Sequence, residues 1–345
     1  MRPRLPGGRA LSRVALGWIV LLTVTALGAG VLSPFDPHAQ VDSPSSAGRP
    51  PLTRLWTIET TDRYRVLVVD RVSRADERVI AERRGEEIEL ATSEVRSVAR
   101  RSHWLGTDQL GRDLLSRLIH GARTSLLVGV LSAALSLALG VLVGATAALG
   151  GRWVDLVLMR LVDGVLAFPA LLLVLSFALL FDPGVWSLIA LIGFTGSLSL
   201  ARLTRAELLV LQGQPFVEAV RSLGGGPLRL FFVHLLPNAA SPLLVATSLA
   251  VADAILMEAT VSFLGLGVGS SLPSWGRVIW EGSADLARLW WVSTFPGLLI
   301  VATALAFNSL ADRVRDVLDP ATRGAERALH RRPRAPAATA PSAAR

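Results

Sequence analysis

Six blocks of apolar residues, each about 20 residues long and nearly free of fixed charges, dominate this sequence. A helix rises about 1.5 Å per residue, so a block of this length crosses the roughly 30 Å hydrocarbon core of a bilayer. With 51% hydrophobic and only 18% charged residues, the chain has too much apolar surface to cover in water. The sequence therefore predicts an all-α membrane protein with six transmembrane helices. The blocks cover about residues 14–32, 124–149, 161–181, 185–203, 240–266 and 290–310.

The arginines predict how these helices are oriented. Every one of the 35 basic residues is an arginine, and Arg2, Arg4, Arg9 and Arg13 all precede the first block. Basic residues in short segments stay on the cytoplasmic side, so six spans place both termini in the cytoplasm. The first block also has the basic start and small residues of a cleaved signal peptide, which is the competing interpretation. Short loops that this topology places inside contain Arg152, Arg160, Arg205, Arg221 and Arg229.

Four regions follow from this topology. Residues 1–34 form the cytoplasmic N-terminus and first helix, and residues 35–123 form an extracytoplasmic segment. Residues 124–320 form a core with five helices, and residues 321–345, rich in Ala, Pro and Arg, form a disordered cytoplasmic tail. Within the outer segment, runs 64–72 and 78–90 alternate partially and predict a small β-hairpin or meander. The Ser, Pro and Gly content of residues 43–51 predicts a linker.

The composition argues against catalysis by this chain. Cysteine is absent, which excludes disulfides, thiolate metal sites and a cysteine nucleophile. Lysine is also absent, so the phosphate-binding lysine of a P-loop cannot exist. The five histidines are scattered and form no metal-binding pair. We therefore expect no cofactor or metal on this chain, and we interpret the net charge of +8 as a topology signal rather than a nucleic-acid signal.

The cytoplasmic loop at about residues 206–240 is the most informative segment. Three consecutive glycines from Gly224 and then Pro227 cannot continue a helix cheaply, so the chain must turn there. In one interpretation this is a plain connection, with Glu218 and Arg221 as a solvated i, i+3 pair. In the other, a short helix ending at a glycine turn forms a protrusion that a cytoplasmic partner binds.

The third and fifth apolar blocks contain or border ionisable residues. Asp253 and Glu258 both fall in the fifth block, and an ionisable group inside the membrane is a functional hypothesis by default. Asp253 is the candidate for the translocation path, whereas Glu258 is expected to lie near the outer interface at small cost. Arg160 and Asp163 are expected to form an ion pair at the inner end of the third span.

The loop resembles a known motif. Glu218-Ala219-Val220, then Gly224, then Leu236-Pro237 is similar to the EAA loop of the permease subunits of bacterial ABC importers, although Val220 replaces the second alanine. Three other segments resemble the C-type permeases of dipeptide and oligopeptide importers more narrowly. These are Leu105-Gly106-Thr107-Asp108-Gln109-Leu110-Gly111-Arg112-Asp113, the run from Glu258 to Gly267 with Pro273-Ser274-Trp275-Gly276, and Phe295-Pro296-Gly297 through Asp319-Pro320. Residues 46–100 look like an insertion relative to short family members.

The resemblance implies a function and a set of partners. Such a permease pairs with a homologous permease subunit as a heterodimer in the bacterial inner membrane. It receives substrate from an extracytoplasmic binding protein and rests on two ATPase subunits, which bind the ATP and Mg. Peptides are the leading substrate; nickel chelates or oligosaccharides are alternatives, and a non-transporting membrane anchor or receptor is the rival function. The residues implied to couple to the ATPases are Glu218, Ala219, Val220, Arg221, Gly224, Leu236 and Pro237.

Overall fold

The computed structural model describes residues 8–61, 66–75, 78–181, 184–269 and 272–318. The part of the chain so described is mostly helical. Its helices are α1 (Gly8–Leu27), α2 (Ala29–Leu32), α3 (Ser43–Ser46), α4 (Leu114–Leu149), α5 (Arg152–Leu166), α6 (Ala170–Leu180), α7 (Val185–Gln212), α8 (Pro215–Ser222), α9 (Pro227–Arg229), α10 (Leu236–Phe263), α11 (Trp275–Gly282) and α12 (Trp290–Leu318). Short 3₁₀ turns lie at Thr92–Glu94 and Ser283–Asp285. The expected disordered tail lies outside the described residues.

Four helices are long and apolar enough to cross a membrane, among the residues described. They are α4, α7, the continuous helical stretch Pro227–Phe263, and α12. The pair α5 and α6 brings the number to five if it counts as one span, and α1 contains a shorter apolar helix at Ser12–Leu27. By length and composition, the described residues therefore contain four or five candidate spans, whereas the sequence analysis predicts six.

The third predicted span is not a straight helix. The sequence predicted one helix over residues 161–181, but α5 and α6 meet at a bend of 82°. The break falls at Pro169, which precedes α6 as its N-cap. Proline disfavours helical backbone in the residue before it, here Phe168, and removes one backbone donor. The apolar pattern concealed this break because apolar residues continue on both sides of it, at residues 165–168 and 170–175.

Close packing holds the long helices together. Trp275 of α11 is fully buried, and its indole N–H donates to the carbonyl oxygen of Leu118 on α4 at 3.1 Å. Further along α4, the Ser136 hydroxyl donates to the carbonyl oxygen of Gly193 on α7 at 2.8 Å. Small and hydroxyl residues allow such close helix contacts in membrane proteins. The four long helices consequently pack around shared buried clusters.

The outer segment contains six strands. They are β1 (Thr53–Thr60), β2 (Val66–Val69), β3 (Arg71–Ala75), β4 (Arg78–Arg83), β5 (Glu86–Ala91) and β6 (Val95–His103). Two antiparallel sheets of three strands have the orders β2-β1-β6 and β3-β4-β5, and Ile58, Val69, Val79 and Ala81 form their shared buried core. The sequence analysis predicted strands near β2 to β5 but not β1 and β6. Residue 64, where its first run starts, lies outside the described residues.

The predicted linker at residues 43–51 is wrong. Ser45 and Ser46 are buried in α3, and the backbone N–H of Arg49 donates to the Thr107 hydroxyl at 2.9 Å. Gly106 has a φ of +81°, and a Cβ there would lie 2.5 Å from the carbonyl oxygen of Arg49. Gly106 therefore allows the two backbone segments to approach closely. Residues 43–51 are thus packed against the segment before α4.

Candidate functional site

The loop singled out by the sequence forms a short helix and a tight turn. Pro215 starts α8, where its fixed φ suits the first helical position. After Leu223, Gly224 adopts a φ of +80°, a conformation that glycine reaches at little cost. The backbone N–H of Gly225 donates to the carbonyl oxygen of Val220 at 2.9 Å, and that of Gly224 donates to Arg221 at 3.0 Å. The helix therefore ends in a glycine turn, as the sequence predicted.

One side of α8 is anchored in the protein. Val217 is completely buried, and Phe216 and Val220 pack beside it. Their partners come from the inner ends of α4 and α7 and from the start of the α10 stretch. We call the buried members the base cluster: Ala145, Leu208, Val217, Leu230, Phe231, Leu235, Ala239 and Leu243. Burial of these side chains fixes the position of α8 relative to the long helices.

The other side of α8 is exposed. Glu218, Ala219 and Arg221 all face away from the base cluster, and the side chains of Leu223 and Leu228 are 89% and 73% exposed. We call these five residues the exposed face of the loop. Glu218 and Arg221 form no ion pair within 4.0 Å with each other or with any other described residue, so the expected solvated pair is not formed. Two free charges flanked by exposed leucines remain available to a partner.

Leu236 belongs to the support of α8, whereas Pro237 is exposed. Leu236 packs against the base cluster, and Pro237 follows a π-helical stretch at Leu230–Leu235. Proline lacks a backbone N–H, and wider winding accommodates that loss. The Asn238 side chain donates to the carbonyl oxygen of His234 at 2.6 Å. The predicted residues thus divide into an exposed group and a supporting group.

The two acids of α10 have opposite environments. Asp253 is exposed and makes no hydrogen bond or ion pair with any described residue. Glu258 is completely buried; the Ser125 hydroxyl donates to its Oε2 at 3.1 Å and the Ser262 hydroxyl donates to its Oε1 at 2.7 Å. Glu258 lies near the C-terminal end of α10, and its carboxylate is buried in the protein. It joins α4 to α10, because its two oxygens accept bonds from both helices.

Sequence reasoning also misplaced one ion pair at the inner side. Asp163 pairs with Arg202 of α7 at 2.6 Å rather than with Arg160, and Asp155 pairs with Arg205. Both contacts join α5 to α7. Spacing along one helix cannot reveal a partner on another, which is why the i, i+3 pattern was misleading.

Sequence reasoning missed a buried charge network that joins α4 to α11. Glu281 of α11 accepts from Arg112 at 2.5 Å and from Arg117 at 2.6 Å, and Arg117 also donates to Asp108 at 2.6 Å. Arg277 donates to the other Glu281 oxygen at 3.0 Å. Burial alone would raise the pKa of the Glu281 carboxyl, but the surrounding guanidinium groups, Arg117 foremost, outweigh it and lower that pKa. The network ties the loop before α4 to α11.

The chain is similar to known transport proteins. Residues 136–324 match the family described as binding-protein-dependent transport system inner membrane component. The di/tripeptide transport system permease protein DppC of Pseudomonas aeruginosa (strain UCBPP-PA14) is 43% identical over 221 residues, which are 64% of this chain and 73% of that protein. A Brucella suis biovar 1 (strain 1330) protein named for peptide permease activity is 44% identical over 220 residues, 63% of this chain and 73% of the relative. Among solved structures, the inward-facing MetNI methionine ABC transporter aligns with a TM-score of 0.49 at 19% identity, covering 60% of this chain and 97% of that one.

Proposed function

Because this chain belongs to the family of binding-protein-dependent transport system inner membrane components, we propose that it is the membrane-spanning subunit of an ATP-driven ABC importer for peptides. The names of its curated relatives support the peptide class. The chain forms half of the translocation path, and a homologous permease subunit forms the other half. An extracytoplasmic binding protein delivers the substrate.

The proposed topology has six spans with both termini in the cytoplasm of a bacterial inner membrane. The four long helices, the bent α5–α6 pair and α1 supply the six crossings. This arrangement puts the strands and the buried charge network outside and α8 inside. The arginines of the short loops favour this orientation.

The exposed face of the loop carries the proposal. A short helix with unpaired charges, followed by the exposed side chains of Leu223 and Leu228, is a costly feature unless a partner covers it. Two ATPase subunits, which bind ATP and Mg, are the proposed partners, and Glu218, Ala219, Arg221 and Gly224 belong to the contact. Ala219 has a short side chain, so a partner surface can approach the backbone there. Val220 and Leu236 pack against the base cluster and hold the helix in place from below, and the exposed Pro237 follows Leu236 in the chain.

Asp253 is proposed to face the translocation path or the partner permease. An ionised carboxylate exposed in the middle of an apolar helix is expensive against lipid, by about 2.5–3.5 kcal/mol on insertion scales. Leu249 and Leu256 flank it on the exposed stripe of α10. Water or a polar partner in the assembled importer removes this cost.

A charge placed on the exposed face of the loop tests the proposal. In proteoliposomes that contain the full importer, Ala219→Arg should abolish dipeptide uptake and the stimulation of ATPase activity by loaded binding protein. The permease itself should remain inserted, because Ala219 is exposed and contributes nothing to the base cluster. The matched control is Ala91→Arg, at an exposed alanine of β5 on the opposite side of the membrane. Normal coupling in Ala219→Arg would refute the docking role.

A further inference from the structure

A cavity of about 920 Å³ opens on the outer side of the helical bundle, away from α8. Its walls come from the segment after α2, the first turns of α4, the start of α7 and the residues before α11. Apolar residues such as Leu127 and Trp186 form most of the lining, and polar residues such as Arg123 and Asp36 complete it. The cavity is large enough for a short peptide or a lipid headgroup.

Two opposite charges line this cavity without meeting. Arg123 of α4 forms no ion pair or hydrogen bond with any described residue. Asp36 also lines the cavity; its Oδ1 accepts the backbone N–H of His38 at 2.8 Å, but no cation among the described residues lies within 4.0 Å of it. Arg112 and Arg117, which precede Arg123 in the sequence, are by contrast paired with carboxylates. Arg123 and Asp36 are therefore two unpaired charges of opposite sign that line the same cavity.

We propose that this cavity binds a zwitterion, with Arg123 holding its carboxylate or phosphate and Asp36 holding its ammonium group. A guanidinium recognises either oxyanion through paired N–H donors, and a carboxylate accepts from an ammonium. A single ligand with both charges satisfies both walls at once, which a simple anion cannot do. The indole of Trp186 and the side chain of Leu127 contribute apolar contact to the part of the ligand between its charges.

Two sources carry this chemistry, and the test separates them. One is a peptide with free termini on its way into the path, an assignment that rests on the proposed function. The other is phosphatidylethanolamine of the outer leaflet. Both have an anionic and an ammonium group, but only the peptide loses one of them by amidation or acetylation.

The peptide arm compares dialanine with its C-terminal amide and with its N-acetyl form, in proteoliposomes containing the full importer and its binding protein. Arg123→Gln should reduce the preference for dialanine over the amide by about tenfold, the effect of one charged hydrogen-bonded contact. Asp36→Asn should do the same for dialanine over the acetylated peptide. The binding protein's own preference is the same in every comparison, so it cancels from the ratio.

The lipid arm measures phosphatidylethanolamine retained by the purified importer, using mass spectrometry. A loss of this lipid in both variants, with peptide preferences unchanged, assigns the site to the lipid. Arg74→Gln is the matched control, since Arg74 is an exposed outer arginine of β3 that does not line the cavity. If both variants behave like this control in both arms, the zwitterion site is refuted. If the wild-type importer moves no peptide, the proposed function fails while the lipid arm still tests the site.

Discussion

Replacing two nearby glycines with alanine tests whether the turn after α8 depends on a left-handed residue. Gly224 has a φ of +80°, whereas Gly226 has a φ of −68° and is extended. A Cβ built on either glycine meets no other atom within 4 Å. The two substitutions therefore differ in backbone conformation and not in available space.

The backbone geometry sets the expected magnitudes. An L-residue in the left-handed region costs about 1–2 kcal/mol, so Gly224→Ala should destabilise the turn by that amount. An opening equilibrium then rises by a factor of roughly 5 to 30. At Gly226 any residue can adopt the native φ. Alanine has less conformational freedom than glycine in the unfolded chain, so Gly226→Ala should be neutral or stabilising by up to about 1 kcal/mol. The hydrogen bonds from Gly224 to Arg221 and from Gly225 to Val220 are the ones that open.

Amide hydrogen exchange on the intact importer in nanodiscs measures this difference. Exchange at residues 224 and 225 should be faster in Gly224→Ala than in wild type, and unchanged or slower in Gly226→Ala. Under the proposed function, uptake should fall in the first variant only, because the turn fixes the end of the docking helix. Equal exchange in both variants, or a larger effect at Gly226, would refute the reasoning.

Three further predictions concern the outer side and the topology. An impermeant maleimide should label a cysteine placed at Ser73 but not one at Ser222, since the native chain has no cysteine; the reverse pattern would overturn the orientation. The lowered pKa of Glu281 means that its contribution to stability is complete above its ordinary pKa of 4.5 and is lost as pH falls through the lowered value. Glu281→Gln should therefore cost about 3 kcal/mol at pH 7 and flatten the acid limb of thermal unfolding, and parallel acid limbs would contradict this. Deleting residues 54–101 should leave the melting temperature of the importer nearly unchanged, because Thr53 and His103 are paired neighbours and the cut ends lie close together. Deleting residues 46–101 should lower the melting temperature, because the contact of Ser46 with Thr107 is then lost. Equal melting temperatures for the two deletions would exclude residues 46–49 from the packed core.

Local signals were sufficient to predict the turn after α8. The glycine run and Pro227 determine where α8 must end, and no distant contact is needed to infer the turn at Gly224. The long helices were predictable for the same reason, although α4 begins at Leu114, ten residues before the apolar block at 124. Polar residues such as Arg117 and His120 concealed that extension, because the sequence does not show that Arg117 is paired within the fold.

Contacts between distant residues were not predictable from one sequence. Arg117 and Glu281 are 164 residues apart, so neither their spacing nor their composition indicates a buried network. The same limitation explains the error at residues 43–51, where small residues read as a linker. Ser and Gly are found both in flexible connections and in closely packed backbones, and only the partner segment around Thr107 distinguishes the two cases.

The strengths of these attachments indicate which part of the chain moves during transport. The helices α4 and α10 are joined by buried bonds to Glu258, whereas Val162 is the one buried residue of α5. The two ion pairs that join α5 to α7, Asp163–Arg202 and Asp155–Arg205, are both partly exposed. Exposed ion pairs contribute only about 0–1 kcal/mol each, so α5 is more easily displaced than α10. Spin labels at Leu161 on α5 and Val210 on α7 should change separation when ATP binds, while labels at Leu142 on α4 and Val210 should not. A constant first distance, or an equal change in both, would show that α5 moves with the other helices as one body.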